Sequence, residues 1–146
     1  MRDKTSEALN ELLPLARDGR DFYSWAALQH TAPGLRDVFR ALTSAKAELI
    51  NDLSVHVATL VDPPALDSTL KGGLRKAYTE VRAKFTLDLD PMLISQLEEA
   101  EDQLLRACEE AVHDDSAELR ASVARYLPRV RASHDRMRDL KYAFAR

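Results

Sequence analysis

Cysteine and glycine are scarce in this chain of 146 residues, which contains one cysteine and four glycines. The single cysteine, Cys108, excludes a disulfide within the chain and a zinc site built from several cysteines. Glycine-rich phosphate loops, the Gly-x-Ser-x-Gly elbow and the His-Glu-x-x-His motif do not occur. The sequence therefore gives no support for phosphoryl, acyl or hydride transfer, and it predicts no catalytic residue.

Long apolar runs are missing too, since no segment approaches the roughly 18 consecutive apolar residues of a membrane span. The N-terminus carries charges in its first turns and lacks the apolar region of a signal peptide. These features predict a cytoplasmic protein with no membrane partner. The formal net charge of -3 gives no overall attraction to phosphate polymers, so no nucleic-acid partner is predicted.

The chain is rich in the mixture of residues that amphipathic helices need. Hydrophobic residues make up 45% of it and charged residues 31%. A chain of this length can bury one hydrophobic core, so residues 1–146 are predicted to form a single all-α domain. Apolar residues recur at steps of three and four in several segments. The predicted helices cover about residues 3–30, 34–61, 67–86, 91–113 and 116–144.

Prolines modify this pattern at two places. Pro14 predicts a kink or break between Leu13 and Asp18, and Pro128 predicts a bend in the fourth long helix. The segment 67–86 is shorter and more polar than the other helices, as is typical of a crossover connection between parallel helices. The predicted fold is therefore a ferritin-like antiparallel four-helix bundle with a short helical crossover between the second and third long helices.

The last two long helices differ in charge. Residues 88–118 contain eleven acidic residues and one basic residue, whereas residues 120–146 contain eight basic residues and two acidic ones. Opposite charges on successive helices predict antiparallel neighbours with complementary flanks. The alternative is a free basic strip on the fourth long helix that binds nucleic acid or another anionic surface.

Short motifs follow one another in a recognisable order along the helices. They are Leu9-Asn10-Glu11-Leu12-Leu13 with Asp18-Gly19, Ala47-Glu48-Leu49, residues 98–102 (EEAED) and Ser133-His134-Asp135-Arg136. In order and spacing they resemble a bacterial family of ferritin-like four-helix-bundle proteins of unknown function, over nearly the whole chain. The resemblance implies a ferritin-like bundle and leaves the activity open, because that family has no established one.

Ferritin-like di-iron sites take a Glu from each of two helices and a Glu-x-x-His pair from each of the other two. Carried over by position, the departures are Leu28 for a glutamate, Asn51 for the histidine of Glu48-x-x-His, and Arg131 for the carboxylate before His134. Only the third long helix retains its acidic residues, Glu98, Glu101 and Asp102. A complete di-iron centre is therefore not expected.

Glu101 is the most informative polar residue, because apolar residues surround it on one face of its helix. A buried carboxylate is costly unless it is paired, protonated or bound to a metal. Three interpretations stay open for it: an internal pair with an Arg or His of another helix, a metal or substrate role, and exposure at the edge of the bundle. His134 has two, a structural hydrogen bond to a carboxylate of the third long helix and metal ligation.

The candidate metal ligands are Glu101, His134, Glu98 and Glu48, for a mononuclear or dinuclear iron or manganese site. His56 lies on the apolar stripe of its helix and is predicted to be a hydrogen-bonded histidine near the end of the bundle. Phe22, Tyr23 and Trp25 cannot all face one core. Either Phe22 or Trp25 contacts a second subunit, or these rings pack beneath the 67–86 segment.

The hypothesis that accommodates the missing ligands is a non-catalytic scaffold with a degenerate metal site. It would act through protein contacts or self-association, as a homo-oligomer such as a dimer. The alternative is a metal-binding, oxidoreductase-like protein that uses the reduced carboxylate and histidine site, with the oxygen or peroxide chemistry that the ferritin-like resemblance implies.

Overall fold

A computed structural model of the chain describes residues 4–29, 33–59, 72–85, 91–114 and 116–144. Within these ranges every regular element is an α-helix, so the prediction of an all-α fold is confirmed for them. The helices are α1 (Lys4–Ala27), α2 (Pro33–Thr59), α3 (Gly72–Ala83), α4 (Pro91–Ala111) and α5 (Ala117–Phe144). The predicted end of the second helix near residue 61 and the first residues of the 67–86 helix lie outside the described residues.

Two helix starts agree with their sequence signals. Pro91 is the first residue of α4, where its fixed φ suits a helix and its missing N–H removes no intrahelical bond. Ser116 caps α5, because its Oγ accepts a hydrogen bond from the Leu119 N–H at 3.2 Å. The Asp114 carboxylate in turn accepts a hydrogen bond from the Ser116 N–H at 3.0 Å and holds the cap in place.

Of the kink or break predicted at Pro14, the break is wrong, because α1 continues through it from Lys4 to Ala27, and the kink stays a prediction. Pro14 removes one backbone donor, but the residues on either side of it are buried in the core. Leu12, Leu13, Leu15 and Ala16 all expose 2% or less of their surface. Most helical stability in proteins comes from packing of the apolar face, so this burial outweighs one lost hydrogen bond. Helix α5 likewise continues through Pro128.

The four long helices pack around one apolar core, in which α1 and α5 each contact both α2 and α4. Ion pairs show how α5 runs: they join Asp52 with Arg125, Glu48 with Arg129, Glu98 with Lys141 and Glu109 with Arg131. In each pair of helices one residue number falls as the other rises, so α5 is antiparallel to α2 and to α4. Helices α2 and α4 therefore run in the same direction.

Helix α3 lies in the connection between these two parallel helices and packs on α1 and α4. The Tyr78 ring stacks on Phe22 with centroids 5.1 Å apart, and Phe85 meets Trp25 edge-on at 5.1 Å. The guanidinium of Arg82 lies 4.6 Å from the centre of the Trp25 ring. The prediction that these aromatics pack beneath the 67–86 segment is therefore confirmed. None of the described helices combines the length and apolar character that crossing a membrane requires.

Candidate functional site

A buried ion pair lies in the interior of the four long helices. Lys46 Nζ on α2 is 2.6 Å from Glu101 Oε1 on α4 and donates a hydrogen bond to it. The lysine side chain is 4% exposed and the glutamate side chain 0% exposed, so solvent reaches neither charge. With Tyr23 of α1 and Tyr78 of α3, which are also buried, these residues form what we call the polar centre.

Helical spacing brings both charged residues inward. Glu101 is separated from buried Leu97 and Leu104 by steps of four and three, and Lys46 from buried Leu42 and Leu49 by the same steps. Of the three interpretations that the sequence left open for Glu101, the structure shows the internal pair. The partner is a lysine, however, and not an arginine or a histidine. The steps that connect Leu42, Lys46 and Leu49 were the signal that could have identified it.

A glycine on α1 makes room for the lysine stem. A Cβ atom at Gly19 would lie 2.6 Å from Cε and 2.9 Å from Cδ of Lys46, closer than carbon atoms approach each other. The same atom would be 3.2 Å from the hydroxyl of Tyr78. The Asp18-Gly19 motif therefore has a packing reason here, because only a residue without a side chain leaves this space open.

The two tyrosines surround the ion pair with aromatic surface. Lys46 Nζ lies 5.2 Å from the centre of the Tyr23 ring, a cation–π distance. Burial, and next the negative charge of Glu101, raise the pKa of Tyr23 and of Tyr78 well above the ordinary value. Both side chains are therefore neutral phenols at physiological pH.

Two polar atoms of the centre have no hydrogen bond within the part of the chain that the structure describes. They are Oε2 of Glu101 and the hydroxyl of Tyr23, and both are buried. The carboxylate thus has one oxygen bound to the ammonium and a second with unused acceptor capacity. Chemically the centre is a charge-balanced pair, neutral overall, held in place by apolar neighbours on four helices.

Cys108 lies about two helical turns along α4 from Glu101 and is fully buried. Burial raises its pKa from 9.0 to about 12, although the Lys46 charge acts in the opposite direction. The thiol is therefore protonated, and it behaves as a small apolar core residue.

The four predicted metal ligands lie in three places. Glu101 is in the polar centre, and Glu48 is at the edge between α2 and α5, where it pairs with Arg129. Glu98 and His134 are together at the seam of α4 and α5, where His134 Nε2 is 3.6 Å from Glu98 Oε1. Among the described residues no group of three or more His, Cys, Asp or Glu side chains is arranged to hold a metal ion. Metal binding stays a prediction.

His134 contacts carboxylates of both α4 and α5 at the interface between these helices. Its Nε2 is 3.4 Å from Asp102 Oδ1, and its Nδ1 is 3.2 Å from Asp135 Oδ1. Carboxylates of the third long helix thus lie near His134, as expected, but at ion-pair distance, and its hydrogen bond is to Asp135 of its own helix. His56, by contrast, meets α5, with Nε2 2.8 Å from Ser122 Oγ, so the prediction of a hydrogen-bonded histidine is confirmed.

The three positions at which the resemblance placed missing ligands do not face the core. Leu28 is 81% exposed, and Asn51 and Arg131 are exposed as well. Arg131 pairs with Glu109 of α4 at 3.4 Å. The polar residues buried between the four long helices are instead Tyr23, Lys46 and Glu101. The positions carried over from the family pattern included neither Tyr23 nor Lys46.

Basic residues of α5 pair with acidic residues of α2 on one side of the helix and of α4 on the other. Arg125 and Arg129 pair with Asp52 and Glu48 of α2, while Arg131 and Lys141 pair with Glu109 and Glu98 of α4. The predicted complementary flanks of the third and fourth long helices are confirmed, and α2 supplies further acids that the charge count did not include.

Comparison with known proteins gives one match. The model of a protein family described as a domain of unknown function (DUF2383) matches residues 4–114, a range that includes α1, α2, α3 and α4. No curated protein and no solved structure matches the chain. The family model covers well over half of the sequence and all the residues of the polar centre. The chain therefore belongs to the DUF2383 family.

Proposed function

We propose that this protein is a non-catalytic scaffold of the ferritin-like kind, in which a buried ion pair takes the interior position of a metal site. It acts through contacts with other proteins or with a second copy of itself. The observation that carries the proposal is the 2.6 Å contact between Lys46 Nζ and Glu101 Oε1 in the middle of the four long helices.

The ion pair favours a scaffold without a metal ion, because the Lys46 ammonium already balances the charge of Glu101. A metal ion needs deprotonated ligands whose negative charge it balances. In the polar centre the only carboxylate is Glu101, and an ammonium already balances it. A metal ion there would compete with Lys46 for one carboxylate, and two cations would then share a region that excludes water.

The order and direction of the helices support the ferritin-like part of the proposal. Helices α2 and α4 are parallel, and α1 and α5 are each next to both of them. The connection between the parallel helices contains a short helix, α3. This combination is the one that a single long crossover produces in ferritin-like proteins.

Exposed apolar side chains support the protein contacts. Leu28, Met92 and Tyr142 expose 81%, 69% and 61% of their surface. They lie at the end of α1, the start of α4 and the end of α5, which are at the same end of the antiparallel helices. Apolar side chains grouped at one end of a molecule are typical of an interaction surface.

Metal analysis tests the proposal that an ion pair takes the place of a metal site. The protein is expressed in medium enriched in iron or in manganese, and bound metal is measured per chain after purification. We expect far less than one metal ion per chain. Near-stoichiometric metal in the parent protein would overturn the proposal.

Sedimentation velocity over a range of concentrations tests self-association. If the apolar end joins two copies, Leu28→Ser and Met92→Ser should shift the distribution toward monomer. Val55→Ser is the matched control, because Val55 is 63% exposed on α2 near the opposite end. A parent protein that stays monomeric at every concentration would rule out self-association, and a retained dimer in the Leu28 and Met92 variants would place the contact elsewhere.

One observation favours a second candidate, a metal-binding and oxidoreductase-like protein. Two of the four predicted ligands, Glu98 and His134, are 3.6 Å apart, and Asp102 is 3.4 Å from the same nitrogen. Calorimetric titration with Mn²⁺ distinguishes this candidate from the first. Uptake that Glu98→Gln abolishes, and that Glu99→Gln on the exposed side of α4 leaves unchanged, would support it; no uptake by the parent would end it.

A further inference from the structure

A groove of about 250 Å³ lies between α2 and α5, and none of the residues of the polar centre lines it. Its floor contains Val38 and Leu42 of α2, which are buried. Its sides are made by small residues, Ala41 and Ala45 of α2 and Ala132 of α5. Small side chains opposite one another leave space where larger ones would close the seam between the helices.

The face of α5 that borders the groove is unusual for a helix packed against a core. Arg129, Ala132, Ser133 and Arg136 follow at steps of three, one and three, so they lie on one face of α5. Farther toward the start of α5 the inward residues are Leu119 and Val123, which are buried. Toward the start of α5, α2 and α5 are joined by the Asp52–Arg125 and His56–Ser122 contacts, whereas beyond them the two helices leave an open groove.

The two arginines of the groove differ in their partners. Arg129 pairs with Glu48, and its guanidinium also lies 5.9 Å from the centre of the Tyr126 ring. Arg136 forms no ion pair with any residue in the described ranges. Its neighbouring acids, Asp135 and Asp139, are 3.4 Å and 3.7 Å from Arg138 instead. The groove therefore combines an apolar floor with an uncompensated positive charge and the hydroxyl of Ser133.

We propose that this groove binds a small amphipathic anion, an aliphatic carboxylate. Its carboxylate accepts hydrogen bonds from Arg136 and Ser133, and its chain covers Val38 and Leu42. The guanidinium group suits a carboxylate because its N–H donors match the two oxygens. The cavity volume is slightly below the usual range of small-molecule sites, which fits a short chain.

Calorimetric titration of the whole chain with octanoate tests this site, with octanol and octylammonium at the same concentrations as probes without the anion. We expect saturable binding of octanoate that is at least about tenfold tighter than that of octylammonium, as a charged hydrogen bond would give. Equal binding of the two would overturn the proposal, because the basic groove would then have no part in it. No binding of octanoate would overturn it too.

Two variants locate the site. Arg136→Gln removes the charge and should weaken octanoate binding by about tenfold, while Ala41→Leu should abolish it by filling the groove. The matched controls are Arg131→Gln, at an arginine paired with Glu109, and Ala124→Leu, at an exposed alanine outside the groove. An unchanged affinity in Arg136→Gln, or an equal loss in Arg131→Gln, would overturn the proposal. Circular dichroism and the melting temperature check that each variant is folded.

Discussion

Gly19 of α1 and Lys46 of α2 are in direct contact, and a Cβ atom on the glycine would be 2.6 Å from Cε of the lysine. The lysine stem cannot easily move away, because its Nζ is held 2.6 Å from Glu101 Oε1 on the far side. A glycine in a helix interior is about 1 kcal/mol less favourable than an alanine. This contact between three helices is therefore the physical reason for a glycine at position 19.

Gly19→Ala should destabilise the protein although alanine is the better helix former. The expected loss is about 1–3 kcal/mol in the free energy of unfolding, the usual result of overpacking a core. Urea denaturation measures it. Gly34→Ala is the matched control, because a Cβ there would meet nothing within 4 Å, and it should be neutral or stabilising by up to about 1 kcal/mol. An equal increase in the free energy of unfolding in Gly19→Ala and Gly34→Ala would contradict the close contact between position 19 and Lys46.

Replacing either Lys46 or Glu101 alone should lower the free energy of unfolding more than replacing both. Lys46→Met leaves a buried carboxylate without a partner, and Glu101→Leu leaves a buried ammonium, so each should lose about 3–5 kcal/mol of stability. The double variant should recover a large part of that loss, since both charges are gone. Urea denaturation of the four proteins of this cycle gives the coupling.

The control for this cycle is the pair of Arg125 and Asp52, whose side chains are 65% and 32% exposed. Arg125→Gln should change stability by less than about 1 kcal/mol, as exposed pairs do. Losses at Lys46 and Glu101 that simply add in the double variant would show that the two residues do not act as a pair.

Stability should fall at alkaline pH because of the two buried tyrosines. In the unfolded chain a tyrosine ionises near pH 10, whereas burial and the Glu101 charge raise the pKa of Tyr23 and Tyr78 well above that in the folded protein. Above about pH 10 the unfolded chain therefore binds fewer protons than the folded one, and stability decreases as pH rises. Below that pH the contribution is fully present.

Urea denaturation at a series of alkaline pH values measures this decrease. Tyr23→Phe and Tyr78→Phe should each flatten the dependence on pH, because each removes one ionising group from the unfolded chain. Tyr142→Phe should follow the parent protein, since Tyr142 is 61% exposed. Identical slopes in all three variants would show that the tyrosines of the polar centre are not the cause.

Cys108 should react slowly with thiol reagents in the folded protein. Burial raises its pKa from 9.0 to about 12, which lowers the thiolate fraction at pH 8 by several hundredfold or more. Stopped-flow reaction with a disulfide reagent checks this prediction. The control is Cys108→Ala/Ala124→Cys, which carries the only thiol at an exposed position of α5 and should react at least about a hundredfold faster. Similar rates would mean that Cys108 is accessible.

The sequence predicted the helices well, because each one repeats apolar residues at steps of three and four and begins or ends at a clear signal. Ser116 before α5 and Pro91 at the start of α4 are examples. It was wrong about a break at Pro14, since the cost of one lost hydrogen bond is local, while the burial of Leu12, Leu13 and Leu15 depends on helices that are distant in sequence.

The candidate site was predicted only in part. Glu101 is identifiable because a carboxylate between apolar residues needs a partner, and the charges of α4 and α5 indicate that those helices are neighbours. Lys46 was overlooked although it shares a face with Leu42 and Leu49, since lysine usually lies on the surface. The family resemblance placed a metal-ligand position at residue 28, but Leu28 is exposed and does not face the core.

By itself the sequence determined the helical class, the apolar stripe of each helix and the position of Glu101 among apolar residues. These properties depend on spacing within one helix. Only the tertiary structure decided that Lys46 meets Glu101, that Gly19 makes room for the lysine stem, and that Arg136 borders an open groove. Contacts of this kind depend on how α1, α2, α4 and α5 are placed against one another, and no local pattern in the chain encodes that placement.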